Sequence, residues 1–435
     1  LSVPGVTSIT VSGAGNLDMA SGTVSGLTKL DASEMTGAMT TGTVSATTGL
    51  VDGTITGATT GAVVTLGSGA DNVGFTDAGS ATTKTNTIKL GDGDDTANIV
   101  TASGSTYVFG EAGDDTVQMS TIASTDLVDL GAGDDTLIVE GAGANAVLRG
   151  VENVTINAGG SLSVGSADTA LAVTAEYTTG AVNVTGLSAG STVAMANANS
   201  TASNQATNLT VGFAKAEAAS TIDAVGGLSG GITLSKITDA TVNLGAASTL
   251  SGAVDGTSVK SLTINATGAL GGTQNVTDST ATNVLATVDI NGTKGITMGT
   301  VDSTVLETVT VDADTGNLLV GATGANSTKL TTVELNAVAG KVQTSGPGTG
   351  AIGQSSNTGV LSVSASAKNE IDLGAIVSTK VGDVSLTNTN TVAKTLDVGA
   401  IGSDATEIGA ITMSGSGDVT IGLIGNSTPA ATKLG

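Results

Sequence analysis

Asp95, Asp115 and Asp135 recur at steps of 20 residues, each inside the same tetrapeptide: Gly93-Asp94-Asp95-Thr96, Gly113-Asp114-Asp115-Thr116 and Gly133-Asp134-Asp135-Thr136. Twenty residues is about one rung of a parallel β-solenoid, so equivalent positions stack at the inter-strand distance, about 4.8 Å. Carboxylates stacked that closely repel by a few kcal/mol at an effective dielectric of about 20. A cation between the rungs turns this repulsion into binding. All-oxygen ligands on glycine-bent loops favour calcium over zinc or copper. The plain alternative is a set of Asx turns, which glycine and aspartate favour without any metal.

The three segments read Leu90-Gly-Asp-Gly-Asp-Asp-Thr96, Phe109-Gly-Glu-Ala-Gly-Asp-Asp-Thr116 and Leu130-Gly-Ala-Gly-Asp-Asp-Thr136, with a weaker copy at Leu66-Gly-Ser-Gly-Ala-Asp-Asn72. Two residues beyond the inner aspartates stand Ala97, Val117 and Leu137. A period of two puts Asp95, Asp115 and Asp135, and Asp71 in the weak copy, on the apolar side, toward ion and core. Asp94, Asp114 and Asp134 then face outward as second-rank ligands. Gly91, Gly93, Gly113, Gly131 and Gly133 allow left-handed turns and bring backbone carbonyls close to an ion. Good sites are expected between rungs 93/113 and 113/133, and a weaker one at 69/93.

The elements that hold these turns are short strands. Helical periodicity is nearly absent, while runs such as Ala62-Val-Val-Thr-Leu66 and Leu137-Ile-Val139 are β-branched or apolar and end in Gly, Asn, Asp or Ser. A second repeat aligns Val151-Glu-Asn-Val-Thr-Ile-Asn157, Val259-Lys-Ser-Leu-Thr-Ile-Asn265, Leu285-Ala-Thr-Val-Asp-Ile-Asn291, Leu306-Glu-Thr-Val-Thr-Val-Asp312 and Leu330-Thr-Thr-Val-Glu-Leu-Asn336. Apolar residues at positions 4 and 6 alternate as in a half-buried strand, and Asn or Asp at position 7 suits the following turn. A leucine-rich repeat shares this outline, but its second-half leucines are missing here. The fold class expected is all-β: parallel β-solenoid or β-roll repeats with a calcium-binding segment. Residues 1–64 read as N-terminal β repeats, 65–157 as the calcium-binding roll, and 158–435 as a calcium-poor solenoid array.

Composition narrows the function. Fourteen Lys and Arg stand against 38 Asp and Glu, a formal charge of −24. So acidic a chain repels nucleic acid and anionic membrane and attracts divalent cations. No segment approaches 18 consecutive apolar residues, so no membrane insertion is expected. Cysteine and histidine are absent and Arg149 is the sole arginine; disulfides, thiol nucleophiles and the commonest general base are therefore excluded. Aromatics make up 1% of the chain, too few for a stacking cleft. A polysaccharide lyase or hydrolase on a β-helix is the enzyme alternative, and it lacks the side chains it would need. Disorder is opposed by a mean hydropathy of +0.29 and only 12% charged residues. The chain begins at Leu1 with no initiator methionine and no charged-then-apolar leader, and reads as a piece or processed product of a longer protein.

The Gly-Asp-Asp-Thr ladder resembles the RTX nonapeptide Gly-Gly-x-Gly-x-Asp-x-U-x, although its first glycine is usually replaced and one copy occurs per rung rather than two. Together with Gly150-Val-Glu-Asn-Val-Thr-Ile156 and Leu27-Thr-Lys-Leu-Asp-Ala-Ser-Glu-Met-Thr-Gly-Ala-Met39, it is similar to RTX-type surface-layer (S-layer) proteins that Gram-negative bacteria export by type I secretion. The resemblance implies a structural protein, not an enzyme, that is secreted, binds Ca2+ and self-assembles into a homo-oligomeric lattice on the bacterial cell surface. Cell-surface polysaccharide would be a further partner, through a region this sequence does not contain. The alternative is the calcium-stabilised stalk of a large secreted adhesin, which would stay monomeric in calcium. An ice-binding variant of that stalk would need flat rows of registered threonines.

Overall fold

Alternating Val, Ile and Thr bounded by Gly and Asn leave the chain little choice but short strands, each with one face to bury. The computed structural model describes residues 5–425 and 433–434, apart from 20–23, 42–43, 46–48, 51–54, 58–59, 78–81, 102, 158–160, 177–179, 197–206, 246–247, 250–253, 257, 273–274, 279–283 and 345–349. Residue 158, where the calcium-poor array is expected to begin, lies outside the described residues. Among the described residues there is no helix. The fold is an all-β parallel solenoid of about 16 turns. It divides into two compact units, Leu1–Ala196 with Phe213–Lys215, and Asn197–Gly212 with Ala216–Gly435.

In the first unit the ladder rungs carry two strands each. One column of parallel strands runs Asn72–Thr76, Thr96–Val100, Thr116–Met119, Thr136–Val139 and Asn153–Asn157. The other runs Val63–Thr65, Thr85–Asp92, Ser105–Ala112, Leu127–Asp129 and Gly143–Arg149. Residues 20 apart pair directly, as Thr96↔Thr116↔Thr136. The inward positions stack into apolar columns: Val73, Ala97, Val117, Leu137 and Val154 on one side, Val64, Ile88, Val108, Val128 and Leu148 on the other, all buried. Each larger member contributes about 1.5–3 kcal/mol of burial.

The second unit has a third face. Its long column stacks Ser261–Ala266, Thr287–Gly292, Thr308–Ala313, Thr332–Ala337 and Val360–Ala367. A second stacks Leu270–Gly271, Ile296–Thr297, Leu318–Val320, Val342–Thr344 and Ile371–Leu373. A third links Val254–Gly256, Val276–Thr277 and Val301–Asp302, then Thr323 and Ile352–Gly353. The repeat read at positions 4 and 6 is in register in the long column: Leu262↔Val288↔Val309↔Val333 and Ile264↔Ile290↔Val311↔Leu335, every one buried. A leucine-rich repeat would place a helix or 3₁₀ segment where these short second and third strands run.

Candidate metal centre

The inner aspartates stand in one column. Asp71, Asp95, Asp115 and Asp135 are between 0% and 3% exposed, at the turn that leads into each strand of the first column. Each carboxylate is tied to the rung before it. Oδ1 of Asp71 accepts from the Met39 amide at 2.6 Å, that of Asp95 from Asp71 at 2.7 Å, that of Asp115 from Asp95 at 2.9 Å, and that of Asp135 from Asp115 at 2.7 Å. Asp71, the weak copy in sequence, is thus a full member. The series ends on Glu152, whose Oε2 accepts from the Asp135 amide at 3.0 Å. Sequence reasoning missed Glu152 because its rung is three residues shorter, with Thr136 paired to Asn153. A frame anchored on the strand of the Val-Glu-Asn-Val motif would have found it.

The outer aspartates form a second, exposed ladder of opposite sense. The Asp114 amide donates to Asp94 Oδ1 at 3.0 Å and the Asp134 amide to Asp114 Oδ1 at 2.9 Å. Asn153 Nδ2 caps Asp134 Oδ1 at 2.7 Å. Period two therefore separated inner from outer carboxylates as expected, and the outer set has solvent and backbone to satisfy it.

The glycines let the rungs approach. Gly91 has φ of 105°, and a Cβ there would stand 1.7 Å from the carbonyl oxygen of Gly67; at Gly113, with φ of 131°, it would stand 2.2 Å from that of Gly93. Gly93, Gly131 and Gly133 hold the matching places in their own turns. The register also corrects the motif alignment. Phe109 pairs with Lys89, not with Leu90, so Gly110 occupies the buried column of Leu90 and Leu130, and Glu111 pairs with Gly91. Glu111 accordingly adopts a left-handed φ of 82°. Replacing Glu111 with glycine is expected to stabilise the unit by about 1 kcal/mol, read from the midpoint of chemical denaturation in calcium.

Two observations bear on a cation. First, Oδ2 of Asp71, Asp95, Asp115 and Asp135 is buried and lacks a hydrogen-bond partner. Burying unpartnered carboxylate oxygens is costly. Second, no side chain fits at Gly110: a Cβ there would lie 2.2 Å from Asp115 Oδ2 and 2.3 Å from the Leu130 carbonyl oxygen. A carboxylate oxygen without a hydrogen-bond partner and a carbonyl oxygen of the next rung thus both pack against Gly110. Among the described residues no three acidic side chains converge on a point, so carboxylates alone do not make a site. A hard cation shared by carboxylate oxygens of successive rungs and by backbone carbonyls would need those oxygens about 4.8 Å apart, the usual rung spacing and twice a calcium–oxygen distance of about 2.4 Å.

Without a cation the column holds protons. Burial pushes the Asp95 carboxyl up to about 8, against the Asp71 amide that lowers it; the charges of Asp115, Asp71 and Asp94 raise it further. Burial likewise raises Asp115 to about 7 and Asp135 to about 6, aided by Asp135 and by Glu152 respectively. Asp71 is raised too, by burial.

The second unit uses the same device with asparagine amides in place of most of the carboxylates. Asn243, Asn265 and Asn291 stack in register, each Nδ2 donating to the residue one rung earlier: Asn243 to Asp223 at 2.6 Å, Asn265 to Asn243 at 2.9 Å and Asn291 to Asn265 at 3.2 Å. Asn336 donates to Asp312 at 2.8 Å. An amide carries its own donor, so these columns satisfy themselves. Searches of protein-family models, curated proteins and solved structures found no match to the chain.

Proposed function

We propose that this chain is a structural, non-catalytic, extracellular protein that binds Ca2+ along the Asp71–Asp135 column and self-assembles into a surface-layer lattice of the RTX type. The observation that carries the calcium reading is the run of four buried aspartates whose Oδ2 atoms have no hydrogen-bond partner. A proton satisfies such an oxygen when no cation is bound, and a divalent cation shared by adjacent rungs satisfies two of them. The lattice reading draws on the resemblance of the motifs and on charge. A chain of formal charge −24 opposes close packing of its own copies, and calcium removes part of that charge where it is most concentrated. Solenoid repeats whose sheets carry regular outward rows of Thr, Ser and Asn suit repeated lateral contact.

Assembly is therefore expected to require calcium and not ionic strength alone. Sodium chloride screens surface charge over a Debye length of about 8 Å at physiological strength but does not coordinate two rungs. Electron microscopy and sedimentation should show ordered assemblies in millimolar calcium, dispersal in chelator, and no recovery in concentrated sodium chloride. Assembly that persists in chelator would defeat the proposal. A protein that binds calcium yet stays monomeric would instead be the stalk of an adhesin.

A further inference from the structure

A buried pair at the opposite end of the Asn72–Thr76 strand from Asp71 has a different chemistry. Lys84 Nζ lies 2.5 Å from Asp77 Oδ1, and the two side chains are 1% and 0% exposed. An ordinary charge-assisted N–H···O contact is about 2.7–2.9 Å. Asp77 is fixed on both sides of its carboxyl: its amide donates to the Val100 carbonyl at 2.8 Å, and its Oδ2 accepts from the Ser103 amide at 3.1 Å. Lys84 is fixed likewise, its carbonyl accepting from the Ser105 amide at 3.0 Å. Phe75, two residues before Asp77, and Asn86, two after Lys84, are both fully buried.

We propose that Lys84 and Asp77 condense spontaneously into an intramolecular isopeptide bond. Nζ attacks Cγ of Asp77, the Nζ–Cγ bond forms and the Cγ–Oδ1 bond breaks. Two of the three ammonium protons pass to Oδ1, which leaves as water; the third stays on the amide nitrogen. Charges cancel without any co-reactant, since an ammonium and a carboxylate become a neutral amide and water. Oδ2 becomes the amide carbonyl oxygen, and the Ser103 amide that already donates to it stabilises the negative charge it carries in the tetrahedral intermediate. Holding amine and carboxyl in contact supplies effective molarities of order 10⁵ M or more. The driving force is environmental: two charges buried away from water carry a heavy desolvation cost that a neutral amide lacks. Burial raises the nearby Asp126 carboxyl above the ordinary carboxylate range, and the charge of Asp77 raises it further.

Intact-mass measurement of the purified folded chain tests this directly. The expected mass is that of the sequence less one water. Trypsin should fail to cut after Lys84, yielding a Leu30–Lys89 peptide that gives no backbone fragments between Asp77 and Lys84. Lys84→Arg keeps the charge but cannot form the amide, so it should return the full mass and leave no such peptide. Asp77→Asn should lose ammonia in place of water, a mass signature no salt bridge produces. A wild-type chain of full mass after prolonged incubation in calcium, cut normally at Lys84, would overturn the proposal and leave the pair as a buried ion pair.

Discussion

Stripped of calcium, the Leu1–Ala196 unit is expected to lose stability as pH rises from about 4 to about 8, the reverse of an ordinary acidic protein. Aspartates of the unfolded chain titrate near 3.8, whereas Asp135, Asp115 and Asp95 in the folded ladder titrate at about 6, 7 and 8. Between those values the native state holds more protons than the unfolded one, so stability falls with pH; below 3.8 both states are protonated and the penalty vanishes. Every tenfold tightening of proton binding on folding is worth about 1.4 kcal/mol. The summed loss is several kcal/mol, comparable with the whole stability of a domain. Calcium requires the deprotonated carboxylates, so saturating it should invert the trend and make the unit more stable at pH 8 than at pH 5. Denaturation midpoints at the two pH values, with calcium and with chelator, provide the check. A midpoint independent of pH in chelator would mean that the ladder carboxylates are not the buried, proton-holding groups described above.

Asp115→Asn should pull stability in opposite directions with and without calcium. The amide oxygen can still accept from the Asp95 backbone, as Oδ1 does at 2.9 Å. The new Nδ2 would put a donor in place of Oδ2, which packs against Gly110 beside the Leu130 carbonyl oxygen. In chelator at pH 8 the variant should be more stable than the wild type by about 1–3 kcal/mol, the cost of leaving a buried polar atom unsatisfied. In calcium it should be less stable, and calorimetry should show two sites lost, because Asp115 borders the rungs of both Asp95 and Asp135. Asp114→Asn, in the exposed outer ladder, should change neither quantity much. If Asp115→Asn were destabilising in chelator as well, the column would be a set of turns built around the carboxylates rather than a cation site lacking its cation.

Features governed by a short period were legible in the sequence. Asp95 and Ala97 lie two apart and share a face, so the inner and outer aspartates could be told apart, and Leu262 and Ile264 could be placed in the core. Features set by the length of intervening turns were not. Glu152 joins the ladder after a short rung. Gly110, not Phe109, fills the leucine column, because the rung keeps its 20-residue register and Phe109 therefore stands opposite Lys89. The aligned Asn265 and Asn291 looked like separate turn residues, yet they form a continuous inter-rung chain. Two strands per rung in one unit and three in the other also escaped notice, since strands of two residues leave hardly any periodicity to read. Lys84 and Asp77 meet only because the strands on either side of them pair with successive rungs.

Rung length in the second unit has a consequence for how such a chain changes over generations. Equivalent positions in the long column lie 26 residues apart at Ser261 and Thr287, 21 at Thr287 and Thr308, 24 at Thr308 and Thr332, and 30 at Thr332 and Ser362. The sheet stays in register across all of them, so the surplus is taken up between strands. Because each turn answers only to its two neighbours, a whole turn can be duplicated or deleted in the gene without rewriting the rest. In the first unit such a duplication would add one aspartate to a row that already accepts one from either side. The length of the molecule and the number of buried carboxylates in its column can therefore drift independently, one by copying asparagine turns and the other by copying aspartate turns.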